Sequence, residues 1–224
     1  MALLIRQTLA VARKDLRSEL RTRYALNSLA MFVVVTVSVM AFSAGTERMS
    51  HGIASALIWV SMFFTAVTGL GRSFISEEER GTTLLLRLTL PSTPVYFGKL
   101  LVNILVALLS NTLLALLFLV MMGSVQVKSP GAFVLIVAIS SFGFAGALTI
   151  IAALIARSGA KGALYPVLAF PVILPLVILG VDLLRRAMLG ITLGNMADDL
   201  LLLGLYTVAL KLVSFFLFDL IWKE

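Results

Sequence analysis

The side chains able to do chemistry in this sequence are few, and they gather in one place. Between Arg72 and Lys99 runs the stretch RSFISEEERGTTLLLRLTLPSTPVYFGK, with three consecutive carboxylates, Glu77, Glu78 and Glu79, followed by Gly81 and Thr82. Elsewhere the inventory is thin. There are no cysteines, which excludes a disulfide framework, a thiolate metal site and a cysteine nucleophile. The single histidine, His51, rules out histidine-rich metal sites and most two-histidine chemistry. It lies at the outer end of a short loop with no nearby second ligand, so axial ligation of haem iron is not expected of it. No G-x-x-x-x-G-K-[ST] run is present, and the nearest lookalike, Ser158-Gly159-Ala160-Lys161-Gly162, lacks the spacing that cradles phosphates. The residues therefore predict no catalytic site, no metal site and no nucleotide site within the chain.

Composition says what must carry the acidic stretch. With 60% hydrophobic and 13% charged residues in 224, and a mean hydropathy of +1.08, the chain has too little polar surface to cover a soluble core. The net charge of +7 raises the possibility of nucleic acid. The basic residues, however, cluster beside apolar runs and form no stripe interleaved with surface aromatics, so nucleic acid is not an expected partner.

Apolar runs recur at about 20 residues, the length that spans a bilayer. Six spans are predicted, over 25–44, 53–75, 100–122, 132–156, 163–181 and 199–221. The fold class is accordingly an all-α membrane protein, with a six-helix transmembrane domain over 25–221 and an interfacial helix over 1–23. In that first segment Ile5, Leu9, Ala12, Leu16 and Leu20 fall on one helical stripe flanked by Arg6, Arg13, Lys14 and Arg17. Such a helix lies along the lipid bilayer with its cations towards anionic headgroups. Ala41 and Ser43 could mimic a signal cleavage site, but the charged region before them is too long and too amphipathic, and further spans follow.

Lysine and arginine placement orients the spans. Thirteen basic residues, including those of the first segment and of the 72–99 loop, fall on one side; Arg48, Lys128, Arg185 and Arg186 fall on the other, and Lys211 lies within a span. The positive-inside rule then predicts both termini and the 72–99 loop in the cytoplasm.

Within that loop, Ser76 followed by Glu79 fits a capping box that opens a helical turn with acids at its positive end. Gly81 is expected to break the turn by taking a positive φ. Leu84, Leu85, Leu86 and Leu88 form a short apolar cluster, and Pro91 stops any helix they make. Thr93 before Pro94 is the expected N-cap of the next span. The product is a short helix set across the membrane surface, able to transmit force from a soluble partner. A solvated connector whose acids only balance Arg72, Arg80 and Arg87 is the alternative.

Three features within the spans bear on mechanism. Pro166, Pro171 and Pro175 in the fifth span each remove a backbone donor, which in lipid calls for other partners for the freed carbonyls; the element is either a hinge beside a pathway or a static kink. Gly143, Ala145, Ala147 and Thr149 in the fourth let helices approach closely. Lys211, in the middle of the last, costs about 2.5–3.5 kcal/mol to insert, so it should face a partner helix or a wet cavity; it either meets an acidic group of another subunit or substrate or snorkels along its own helix. Asp219, about 12 Å along the axis, is too far to pair with it. The outer segment 182–198, with Leu183, Leu184, Ala187, Met188 and Leu189 beside Arg185 and Arg186, is expected to form a short interfacial helix.

The order of these features resembles the permease subunits of ABC-type exporters: after an apolar span come Glu78, Glu79, Gly81 and Thr82, then Leu84, Leu85 and Leu88, then Pro91, then a helix opening with Gly98 and Lys99. The chain resembles most closely the haem exporter protein B (CcmB) family of cytochrome c maturation, through this loop, Ile58-Trp59-Val60 and the proline-spaced Phe170-Pro171-Val172-Ile173-Leu174-Pro175-Leu176. Where that family usually has one acid pair, the run Glu77–Glu79 is richer. The resemblance implies a permease subunit in a bacterial inner membrane, with ATP bound by a separate cytoplasmic ABC subunit at the loop. It also implies a haem-handling membrane protein as partner, and haem as a possible substrate, with no cofactor bound directly. The work of ATP would either move haem or another substrate or release a haem-loaded chaperone. A non-transporting scaffold is the other class of function. Paired acids within the spans, which a secondary transporter needs for ion coupling, are absent.

Overall fold

A computed structural model describes residues 2–22, 24–45, 49–70, 72–158 and 164–223, all in helices or short connections. Helix α1 spans Ala2–Thr22, α2 Tyr24–Ala44 and α3 His51–Leu70. Two short helices follow, α4 over Arg72–Glu79 and α5 over Thr83–Thr89. Four long ones complete the chain: α6 Ser92–Met121, α7 Pro130–Ser158, α8 Leu164–Leu189 and, after one 3-10 turn, α9 Ala197–Lys223. Among the described residues six helices, α2, α3 and α6 to α9, are long and apolar enough to cross a membrane. The chain is an all-α, multi-pass membrane protein.

What a bilayer requires explains the pattern of burial. Helix α7 is buried along most of its length, whereas α2 and α9 expose Met31, Val35, Phe42, Leu201, Leu205, Leu212 and Phe216. Contiguous exposure of that kind is unsustainable in water. In hydrocarbon it is the expected outer surface, because each helix satisfies its own backbone hydrogen bonds.

Close approach around α7 rests on small residues, as the sequence predicts. A Cβ built on Gly143 would meet Leu176 Cδ1 of α8 at 2.7 Å, and one on Gly146 would meet Lys211 Cγ of α9 at 2.9 Å. Interhelical polar contacts add to this packing: Asn103 Nδ2 donates to Thr149 Oγ1 at 2.8 Å, and Asn111 Nδ2 to Ser141 Oγ at 3.0 Å. Trp59 sits in the middle of α3. Its indole lies against Gly180 of α8, where an added Cβ would come within 1.9 Å of it, and 5.0 Å from the ring of Phe144. Two of the features that carry the family resemblance, the Trp59 motif and the proline-spaced helix, thus touch.

Several boundaries differ from the sequence expectation, each for a local reason. Helix α6 begins at Ser92, eight residues before the predicted span, because Pro91 (φ −67°, ψ 165°) sits at the N-cap and hands over directly to it. Thr93 is therefore inside the helix and not its cap. Similarly, Ser76 lies within α4, so no helix opens there. The segment 182–189 is not a separate interfacial helix: α8 continues through it and buries Leu183, Leu184, Ala187 and Met188. It stops at Gly190, whose φ of +88° only glycine adopts cheaply, with Ile191 N–H donating to Arg186 O at 3.1 Å. Pro166 falls in the first turn of α8, where no intrahelical donor is needed, whereas Pro171 and Pro175 are inside the helix. The helix runs on through both.

Candidate functional site

The site is the end of the molecule where α1, α4, α5, the start of α6 and the end of α9 meet. Helix α4 ends as its sequence dictates. Gly81 takes φ +65°; its N–H donates to Glu78 O at 3.0 Å, and Thr82 N–H donates to Glu77 O at 3.0 Å. This pair of bonds is a Schellman stop, and Thr82 Oγ1 is a second donor to Glu77 O, at 3.3 Å. Helix α5 then runs for seven residues until Leu90, which must be extended because Pro91 follows it.

On α5 the leucines divide. Leu86 packs inward, while Leu84, Leu85 and Leu88 are 67%, 64% and 78% exposed. The short helix is held at its far end by α9: Arg87 donates to Ile221 O at 3.4 Å and lies 5.4 Å over the Trp222 ring, whose Nε1 donates to Leu90 O at 3.3 Å. One turn later Ser92 Oγ donates to Asp219 Oδ1 at 2.5 Å. Asp219 also pairs with Lys223.

At the near end lies an ion cluster that sequence reasoning missed. Lys99, the last residue of the 72–99 stretch, is fully buried in the first turns of α6. Its Nζ is 2.8 Å from Glu77 Oε2 and 3.1 Å from Asp15 Oδ2, and 4.6 Å over the Phe74 ring. Lys14 closes the square, 3.1 Å from Asp15 and bonded to Glu77 Oε1. Burial pulls the Lys14 pKa down, but the Glu77 hydrogen bond and the two carboxylates outweigh it and hold it above the ordinary lysine value. Two positive and two negative groups balance, and each buried charge has partners, the condition under which such a cluster is tolerated.

The cluster changes the reading of the acidic run. Glu77 is turned inward and its carboxylate is occupied within the chain, whereas Glu78 is exposed beside it. The side chain of Glu79 lies outside the described residues. The signal available in the sequence was Asp15, an acid four residues after Val11. Both are buried against α6, where a Cβ on Gly98 would come within 2.7 Å of Val11 Cβ and 2.9 Å of Thr8 O. Helix α1 therefore has two working faces. One seats on Gly98 and Lys99, and the other leaves Ile5, Leu9 and Leu20 exposed for lipid.

The remaining predicted residues lie away from this end. Lys211 packs on Gly146, with its Nζ 4.5 Å over the Phe142 ring, and has no acidic partner among the described residues. Its carbonyl accepts a hydrogen bond from Tyr96 OH at 3.1 Å. Near the α8 prolines, Tyr206 OH donates to Val172 O at 2.9 Å. His51 begins α3, at the opposite end of the bundle from the cluster. There Arg186 bridges Asp182 and Asp199, and Lys128 N–H and Ser129 N–H tie the α6–α7 connection to the end of α8. Most of the P-loop lookalike, 159–162, lies outside the described residues.

No curated protein matches the chain. The sequence model of the CcmB protein family matches residues 6–219, which takes in α1, the α4–α5 loop and all six long helices. The chain belongs to the CcmB family and is, by that membership, a membrane permease subunit of a haem-exporter ABC system for cytochrome c maturation.

Proposed function

We propose that this subunit carries no nucleotide site of its own and couples ATP hydrolysis in a separate cytoplasmic ABC subunit to the handling of haem, with the 72–99 loop as the point of engagement. In this reading the chain sits in a bacterial inner membrane with both termini cytoplasmic, beside a haem-handling membrane protein. One observation carries it: α5 presents three exposed leucines on a seven-residue helix that is tied to α9 at its C-terminal end and joined at its start, through the Gly81 turn, to the anchored Glu77 of α4. A helix needed only as a connector gains nothing from an apolar outer face. A docking helix needs both features, an apolar contact for the partner and stiff links so that its displacement moves the spans.

The contact residues of the dock are Glu78, Gly81, Thr82, Leu84, Leu85, Leu88 and Pro91. Glu79 continues the acidic edge, while Glu77 anchors the loop to α1 and α6. Force applied to α5 would reach α6 through Glu77 and Lys99, and α9 through Arg87 and Trp222.

The close packing inside the bundle favours one version of the ATP work. Trp59 on Gly180, Leu176 on Gly143 and Lys211 on Gly146 leave little room among α3, α7, α8 and α9. ATP-driven motion then alters what the subunit presents to its partners, releasing a haem-loaded chaperone, more readily than it opens a path through a single copy.

The test is co-purification from native membranes of the chain carrying Glu78→Ala, Leu84→Ser, Leu85→Ser and Leu88→Ser, followed by an ATPase assay. Loss of the ATP-hydrolysing partner with the chain still folded is the expected result. Retention of full, coupled ATPase activity would remove the dock.

A further inference from the structure

The cationic side of α1 is more than a charged surface. Arg13, Arg17 and Arg21 recur at i, i+4 and i+8, and across from them stands Arg80, from the end of α4. With Lys14 they line one cleft of 640 Å³. Among the described residues Lys14 alone of the five has an acidic partner, while Arg13, Arg17, Arg21 and Arg80 are exposed and unpaired. Like charges four residues apart on a helix repel, and a fifth cation brought up from a separate element adds to the repulsion. Such an arrangement is relieved by an anion placed among the guanidiniums, which bind phosphate oxygens in a fixed fork.

A second cleft joins this one. It shares Ala10 and Arg13 with the first and runs between α1 and α6 for 570 Å³, lined by Leu9, Ala12, Leu16, Leu101, Val102 and Leu105. Leu101 and Leu105 belong to the lipid-facing side of α6. A cationic cleft open to the headgroup layer and continuous with an apolar groove on a transmembrane helix fits a molecule with an anionic head and an acyl tail.

We infer that the α1–Arg80 cleft is a binding site for an anionic phospholipid, its phosphodiester held by Arg13, Arg17 and Arg80 and one acyl chain laid along the α1–α6 groove. The site touches the dock: Lys14 and Arg80 line both it and the groove beneath Leu85 and Leu86. Bound lipid thereby holds α1 against the loop.

The experiment uses the full chain with its co-purifying subunits in nanodiscs of phosphatidylcholine containing graded phosphatidylglycerol, with retained lipids counted by native mass spectrometry. Phosphatidylglycerol is expected to be retained in preference to phosphatidylcholine. Arg80→Gln should weaken that retention about fivefold, and Arg13→Gln with Arg17→Gln about 25-fold, each cation near an anionic headgroup being worth about a fivefold factor. Arg80 makes no ion pair among the described residues, so its removal does not threaten folding. Lys128→Gln, which takes one charge from the opposite end, should change nothing. Equal retention of both lipids in the unaltered chain overturns the inference. So does an Arg80→Gln effect no larger than that of Lys128→Gln, which would reduce the cleft to general surface charge. Displacement of phosphatidylglycerol by millimolar inorganic phosphate would reassign the cleft to a soluble anion, and the lipid assignment would fall.

Discussion

Replacing Lys99 by methionine tests the ion cluster where it is least forgiving. The side chain is 0% exposed and its ammonium lies between two carboxylates, Asp15 and Glu77, at 3.1 and 2.8 Å. Methionine fills a similar volume, so packing changes little and the electrostatic loss dominates. Removing one member of a buried ion group costs about 3–5 kcal/mol, because the remaining charge is left uncompensated. Here Lys14 still reaches both carboxylates, so the loss belongs near the lower end, about 3 kcal/mol. Lys14→Met should cost far less, about 0–1 kcal/mol, because that side chain is 48% exposed and solvent screens it. The sharper expectation is non-additivity. In Lys99→Met with Glu77→Gln one positive and one negative charge remain, Lys14 and Asp15, already 3.1 Å apart. The double variant should therefore be more stable than Lys99→Met alone. Unfolding by dodecyl sulfate titration in mixed micelles measures this, and Trp59, buried against Gly180, serves as the fluorescent reporter. Equal costs for the two lysines, or simple addition in the double variant, would refute the cluster as the anchor of the loop.

Other substitutions separate the parts. Leu84→Ser, Leu85→Ser and Leu88→Ser should each shift chain stability by no more than about 0.5 kcal/mol, since these side chains are exposed, yet together abolish binding of the ATPase subunit in a pull-down. Gly98→Val should lift α1 from α6, because its side chain would collide with Val11 and the Thr8 carbonyl; a cost of about 1–3 kcal/mol and faster proteolysis within α1 are expected. Gly81→Ala forces a Cβ into a left-handed conformation at a cost of about 1–2 kcal/mol, and hydrogen exchange over 77–89 should rise without global unfolding. Lys211→Leu should leave folding intact and lower turnover of the assembled complex, if its ammonium meets an acid of another subunit or substrate; unchanged assembly and unchanged ATPase turnover would leave only its packing on Phe142.

Much of this was legible in the sequence because it is local. Span length, the glycine stop at Gly81, the leucine cluster and the close-packing residues of α7 all follow from neighbours in the chain or from helical spacing. The boundaries missed are those where a helix continues past the hydrocarbon layer. Composition changes at Asp182 and Lys99, but the backbone hydrogen bonding of α8 and α6 does not, so apolar run length underestimates both helices. What the sequence could not reveal is pairing at a distance. Lys99 and Asp15 are 84 residues apart, and Lys14 and Glu77 are 63 apart. Each reads alone as an ordinary surface charge. Only the close approach allowed by Gly98 brings α1 down onto Lys99 and joins four ions, three of them buried, into one cluster. The split on α5 between Leu86, which packs against the core, and its three exposed neighbours was hidden for the same reason, since it depends on elements distant in the chain.

Because the chain lacks cysteine, a single one can be placed at will. Leu88→Cys puts it at the most exposed leucine of α5. Labelling by a membrane-impermeant maleimide in inside-out vesicles and in spheroplasts reads the sidedness of the loop, and repeating it with the ATP-hydrolysing subunit bound reads the contact. Labelling only in inside-out vesicles, blocked when that subunit is present, is the predicted result. Labelling from the outer face, or labelling indifferent to the nucleotide-hydrolysing partner, would contradict it.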